Sequence, residues 1–119
     1  MGVVNMDAKL AKIAGHWQPG VVARLNDYEV KLVKVHGDFV WHSHDDTDEL
    51  FVVHKGEINI QFRNRDNWVR AGELFVVPKG VEHRPCAPAE CEMMLIEPRG
   101  VVNTGDAGGD RTYAPQWLE

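Results

Sequence analysis

A chain of 119 residues has room for one ordinary domain and no second independent core. Hydrophobic residues make up 44%, enough to fill the inside of a small barrel. The net charge of −5 argues against nucleic acid or an anionic membrane as main partner, because both demand concentrated Lys and Arg.

The one small basic group, Arg63, Arg65 and Arg70, surrounds a turn and reads as a solvated loop. No apolar stretch approaches the roughly 18 residues needed to span a bilayer. Met1 to Leu10 lacks the charged-then-apolar pattern of an export signal. Cys86 and Cys91 make no disulfide framework, and reduced thiols in a cytoplasmic protein are the expectation.

Asp7 to Ala14 has an acidic start and good helix formers before Gly15, which predicts one short amphipathic helix. Pro19 and Gly20 then punctuate the chain. Tyr28 to Val35 alternates with the two-residue period of a strand, broken at Gly37-Asp38. Phe39 to His44 and Glu49 to His54 are expected strands. So is Glu57 to Phe62, with Ile58, Ile60 and Phe62 on one face. After the polar turn Arg63 to Asn67, short strands are expected at Trp68-Val69, Leu74 to Val77 and Glu92 to Ile96. Many short strands separated by Gly and Pro indicate an antiparallel sandwich or barrel. Residues 1–119 form a single domain in this reading. Its barrel core covers about 21–98, preceded by the helix and entry segment 1–20 and followed by a tail over 99–119. Trp117 is the residue expected to dock that tail.

On a strand, the side chains of His42 and His44 point to one face, about 7 Å apart. A bend through Asp45 to Asp48 can bring the next strand alongside and aim Glu49 at the same point. His83, just after the Pro78-Lys79-Gly80 turn, can complete the set. Three neutral imidazoles and one carboxylate suit a first-row divalent ion: Fe, Mn, Ni, Co, Cu or Zn. An oxygen-only Ca or Mg site would not use three histidines. Four protein donors on a metal that prefers six leave positions open for water, substrate or dioxygen.

These residues resemble the two sequence motifs of the cupin superfamily. The first motif is glycine, a spacer, His-x-His, glutamate and glycine, matched by Gly37, His42, His44, Glu49 and Gly56. The second is glycine, Pro-x-Gly, histidine and asparagine, matched at Gly72, Pro78, Gly80 and His83. The spacer after Gly37 is one residue short of the usual length, and Ala87 stands where asparagine is expected. Neither position is a ligand in the family. The resemblance implies a double-stranded β-helix, or jelly-roll barrel, with metal on His42, His44, Glu49 and His83. Among single-domain forms, the chain is similar to the small proteins described as mannose-6-phosphate isomerase-like. Small cupins commonly pair, so a homodimer is expected, with Leu50, Val52 and Trp41 offering outward apolar surface.

By alternation, Phe51 and Val53 share Glu49's face and line the interior, joined by Met93 with Leu95 or by Met94 with Ile96. His54 points the other way, to the surface or a subunit contact, and His16 to a cap or the surface. His36 shares parity with His42, but Gly37 separates them. Arg84, Arg99 and Arg111 are expected in solvent, as are Asp45, Asp46 and Asp48. The functional expectation is a metal-dependent enzyme acting on a small organic molecule, dioxygenase-like or isomerase- or lyase-like. A non-catalytic metal- or ligand-binding module is the alternative.

Overall fold

Asn5 starts the first element by accepting a hydrogen bond from the Ala8 N–H at 2.9 Å, the usual role of an Asn N-cap. The computed structural model describes residues 2–119, and in it this helix, α1, spans only Met6–Leu10. It is shorter than the segment expected from Asp7 to Ala14. Lys12 and Ile13 donate to Lys9 and Leu10 in tighter turns, and Ile13 thereby reaches the same apolar layer as Leu10.

Eight strands follow: β1 (Gly20–Leu25), β2 (Tyr28–Asp38), β3 (Glu49–Lys55), β4 (Glu57–Gln61), β5 (Trp68–Arg70), β6 (Leu74–Val77), β7 (Arg84–Pro98) and β8 (Gln116–Trp117). The architecture is the expected all-β barrel with a short N-terminal helix. β7 is its spine. β2 runs antiparallel along one edge of it, from Tyr28 opposite Pro98 to Asp38 opposite Cys86. The other edge is shared: β4 pairs with its first residues, and β3 with its later ones. β6 extends β3, β5 extends β4, and β1 extends β2.

β7 is much longer than the strand expected at Glu92 to Ile96, because Pro85 and Pro88 look like breakers. Pro88 falls where the β2–β7 register is interrupted between Val35 and Gly37, so its missing N–H leaves no ladder position unfilled. The strand expected over Phe39 to His44 is absent. That segment makes one isolated bridge, His42 with His83, while Phe39 and His44 find single backbone partners in Pro85 and Gly80.

The interior holds Val33, Val35, Phe51, Val53, Ile58, Ile60, Met93 and Leu95, which settles the β7 alternative in favour of Met93 with Leu95. Outside, Leu10 of α1 and Ile13 just beyond it cover the sheet against Val22 and Leu32, and Met94 packs there. The tail does return to the barrel. β8 pairs in parallel with β1, and Leu118 packs on the outer layer. Trp117 itself stays 51% exposed beneath the Arg24 guanidinium, so backbone pairing and Leu118 do the docking. No helix among the described residues is long and apolar enough to cross a membrane.

One pair inside the barrel breaks the apolar rule. Lys31 and Glu97 are buried with Nζ and Oε1 3.1 Å apart, and Lys31 also donates to the Val101 carbonyl at 3.0 Å. Removing one partner of a buried pair strands the other's charge. Lys31→Met is therefore expected to lower stability by roughly 3–5 kcal/mol at pH 8, and Lys31→Met with Glu97→Leu to recover most of it. Denaturant melts check this, and a double variant no better than the single one would contradict it.

Candidate metal centre

The His42–His83 bridge fixes two of the candidate donors. His42 N–H donates to His83 O at 3.0 Å and His83 N–H returns the bond at 2.9 Å, bringing the ring centroids within 4.3 Å. The Pro78 turn that delivers His83 is itself tied down. Gly80 N–H donates to His44 O, and Lys79 N–H donates to the Asp48 carboxylate at 2.9 Å. Asp48, expected as a purely solvated loop residue, thus anchors this turn. Glu49 opens β3 opposite Val77 and points inward with Phe51 and Val53.

His42, His44, Glu49 and His83 are all buried, and one donor atom from each lies within 4.8 Å of all the others. Metal–nitrogen bonds of about 2.0–2.1 Å put opposite donors roughly 4 Å apart, so a small contraction would close this set on one ion. Imidazole protonation supports the fit. The Nδ1 of His42 lies 2.9 Å from Val40 O and that of His83 3.0 Å from Val81 O. A carbonyl can only accept, so both Nδ1 atoms carry a proton and each ring turns its Nε2 inward. His83 Nε2 faces Glu49 Oε1 at 3.0 Å, where a ring proton or a bound cation satisfies both atoms. His44 Nε2 approaches Glu49 Oε2 to 3.2 Å without hydrogen-bond alignment and has no other partner, although it is buried. An orphaned buried nitrogen beside a carboxylate is what a divalent ion would satisfy.

Burial disfavours charge on Glu49, but the imidazoles of His44 and His83 outweigh it and hold its carboxyl well below the usual range. Burial lowers His42 to about 4, with His83 adding to the shift. Burial also works against a charged His44, yet the close Glu49 carboxylate leaves it raised. These groups are thus poised as one carboxylate and at least one neutral imidazole.

An apolar cavity of about 30 Å³ opens beside His42 and Glu49, walled by Trp17, Phe39, Phe51, Pro85, Met93 and Leu95. It has room for one or two waters, so a larger molecule needs the roof to move. Trp17 forms that roof. Its φ of 62° is costly for a bulky side chain. It is held there by a stack on Phe39 at 4.5 Å and by its indole N–H donating to His36 O. Asn103 from the tail also lines the cavity and donates to the carbonyls of Trp17 and Arg111.

A second tail contact grips the His42–His44 segment. Ser43 N–H donates to the Asp106 carboxylate at 2.7 Å, and Asp106 N–H donates to Ser43 O at 3.0 Å. Gly105, at φ +52°, sits so close that a Cβ there would collide with the Ser43 carbonyl. Alternation along strands could not find Trp17, Asn103, Gly105 or Asp106, which lie in irregular segments. Glu97 was missed too. It stands one step beyond the Leu50–Ile96 pair, opposite Glu49, and burial followed by Glu49's charge pushes its carboxyl up to about 7.

The remaining histidines stay outside the cluster. His54 bonds Asp7, His16 bonds Glu90, and His36 is exposed with its ring edge-on to His16. Arg99 is exposed, as expected, and Arg111 lies over the Phe39 ring at 4.9 Å. Arg84 is only half-buried and bonds Gln61, so it is not free in solvent. Trp41 is covered by Arg63, whose guanidinium lies 3.8 Å from the ring centroid.

The cupin domain family model matches residues 30–97. The chain belongs to the cupin family. The match contains all four clustered residues. A cupin-2 domain containing protein from Shewanella frigidimarina is 52% identical, with a TM-score of 0.80 over 82% of this cupin and 95% of that chain. Protein NMB1881 from Neisseria meningitidis is 35% identical, with a TM-score of 0.75 over 82% and 99%. The uncharacterized protein YdbB of Bacillus subtilis is 39% identical over 64 residues. That match covers 53% of this cupin and 57% of YdbB.

Two outcomes test the centre. Gly105→Ala is expected to lift the tail from Ser43, lowering stability by roughly 1–3 kcal/mol and weakening metal binding, read by thermal melts and metal titration. Unchanged values for both would refute the clamp. The second concerns pH. His42 falls from 6.5 unfolded to about 4 folded, so below pH 6.5 the unfolded chain binds a proton that the folded one does not. Its contribution is present above pH 6.5 and disappears as pH drops toward 4. In chelator, the stability of His42→Asn relative to the unsubstituted protein is expected to rise across that window. A flat difference would contradict the assignment.

Proposed function

We propose that this cupin is a metal-dependent enzyme acting on a small organic molecule, with a first-row divalent ion held by His42, His44, Glu49 and His83. The single observation that carries the reading is the inward convergence of four buried donors, with His44 Nε2 orphaned and His83 Nε2 facing a carboxylate. Bound there, such an ion supplies Lewis-acid polarisation of an oxygen ligand or, if redox-active, dioxygen activation. The chain's own residues do the rest. Val40 O and Val81 O hold the two imidazoles in the correct tautomer, as outer partners of metal-bound histidines commonly do. Trp17, Phe39 and Phe51 exclude water and select an apolar body. Glu97, its carboxyl pushed up to about 7 beside the cluster, is placed to hold or release a proton in either a dioxygenase-like or an isomerase- or lyase-like course. The likeness to mannose-6-phosphate isomerase-like proteins belongs to the second of these.

The small size of the cavity beside His42 and Glu49, about 30 Å³, favours a second reading, a non-catalytic metal- or ligand-binding module. A homodimer is proposed as well. Leu74 and Val76 are exposed beside Val52 and Leu50 on the outer face of β3 and β6, an apolar strip beyond the reach of α1. The two unpaired thiols support a cytoplasmic setting.

Elemental analysis of natively purified protein is expected to give a first-row metal bound by the buried cluster. His83→Ala is expected to weaken its binding by roughly 100-fold or more, beyond the loss typical of an outer-shell partner. After anaerobic loading with Fe(II), substrate-dependent oxygen consumption or product formation with small carbonyl and hydroxy acids separates the enzyme from the module. Tight metal binding with no turnover across such a panel would favour the module, and unchanged metal content in His83→Ala would remove both.

A further inference from the structure

A second cluster of donors lies on the outside of the barrel, where the first turn of α1 meets the end of β3 and the middle of β7. Asp7, His54 and Glu92 each offer one donor atom, and the three lie within 4.8 Å of one another. His54 Nε2 is 2.8 Å from Asp7 Oδ1. The β3–β7 register slips between Val53 and Lys55, so His54 is the extra residue of a bulge. Bulges re-aim side chains, and this one turns His54 toward the helix.

The hydrogen-bond pattern at this place is incomplete. Glu92 Oε1 is buried and has no hydrogen-bond partner. The nearest cation is Lys55, whose Nζ stands 3.9 Å from Glu92 Oε1 and 3.1 Å from Asp7 Oδ1. Lys55 is 60% exposed, and exposed pairs of this kind hold a flexible ammonium only weakly. Two carboxylates therefore share one loosely placed charge, next to an imidazole whose nitrogen points at the same spot.

We propose that Asp7, His54 and Glu92 form a second divalent transition-metal site, separate from the buried cluster and in exchange with solvent. One imidazole and two carboxylates suit Zn²⁺ or a neighbouring first-row ion, and the imidazole disfavours Ca²⁺ and Mg²⁺. Waters complete the coordination, and Lys55 swings outward on binding. The ion satisfies Glu92 Oε1 and staples α1 to β3 and β7, so it orders the N-terminal segment rather than performing chemistry.

Zn²⁺ titration of the full chain by equilibrium dialysis tests this. The unsubstituted protein is expected to bind a weaker equivalent that His54→Ala and Asp7→Asn each weaken at least tenfold and that His83→Ala leaves in place. Lys55→Met removes the competing charge and is expected to tighten that equivalent severalfold. His16→Ala, which removes a surface imidazole bonded only to Glu90, is expected to change nothing. Hydrogen exchange in α1 is expected to slow as the weaker equivalent fills. Stoichiometry that survives both His54→Ala and Asp7→Asn, or a Lys55→Met variant that binds no better, would overturn the site. A sole equivalent lost with His54→Ala would instead uphold it and remove the buried centre.

Discussion

One buried carboxylate organises the inside of this cupin. Glu49 turns one oxygen to His83 and the other to His44, and both imidazoles lie within 3.2 Å. A charged carboxylate taken out of water is tolerated only with such partners. The histidines in turn depend on backbone geometry. His42 and His83 are locked side by side by reciprocal main-chain bonds, and their Nδ1 atoms are occupied by carbonyls two residues back. Position, tautomer and charge are therefore set by the same few contacts, before any ion is considered.

The barrel wall has to serve two apolar layers at once, and this explains a residue pattern that looks inconsistent. Along β2, Leu32 belongs to the outer layer under α1, while Val33 and Val35 belong to the interior. Lys31 lies on the inward side with Val33, where it is neutralised by Glu97. A strand buried on both faces reads as nearly continuous hydrophobicity with an occasional charge, rather than as clean alternation.

What could be read from the letters follows from this. The His-x-His, Glu and His spacings, with their glycines and Pro78-x-Gly80, were enough to indicate both fold and cluster, because turns and donors recur at fixed intervals. Ile58 and Ile60, expected on one face, both lie in the interior, although Asn59 between them is buried too. The helix end was misjudged because Ile13 had to descend into the outer layer. β7 is longer than expected because Pro88 sits in a register gap where the ladder does not need its donor, and Pro85 is accommodated opposite Ile60. The missing strand at Phe39 to His44 had the right face and the wrong backbone. Trp17, Asn103 and Asp106 were invisible for a deeper reason: contacts between irregular segments distant in the chain leave no period in the sequence.

The cover over the four donors is held by a few side-chain hydrogen bonds from Asn103 and Asp106 rather than by the sheet. Such contacts open far more often than a strand ladder does. The rate at which an ion beneath them exchanges is therefore set by how often Asn103 and Asp106 let go.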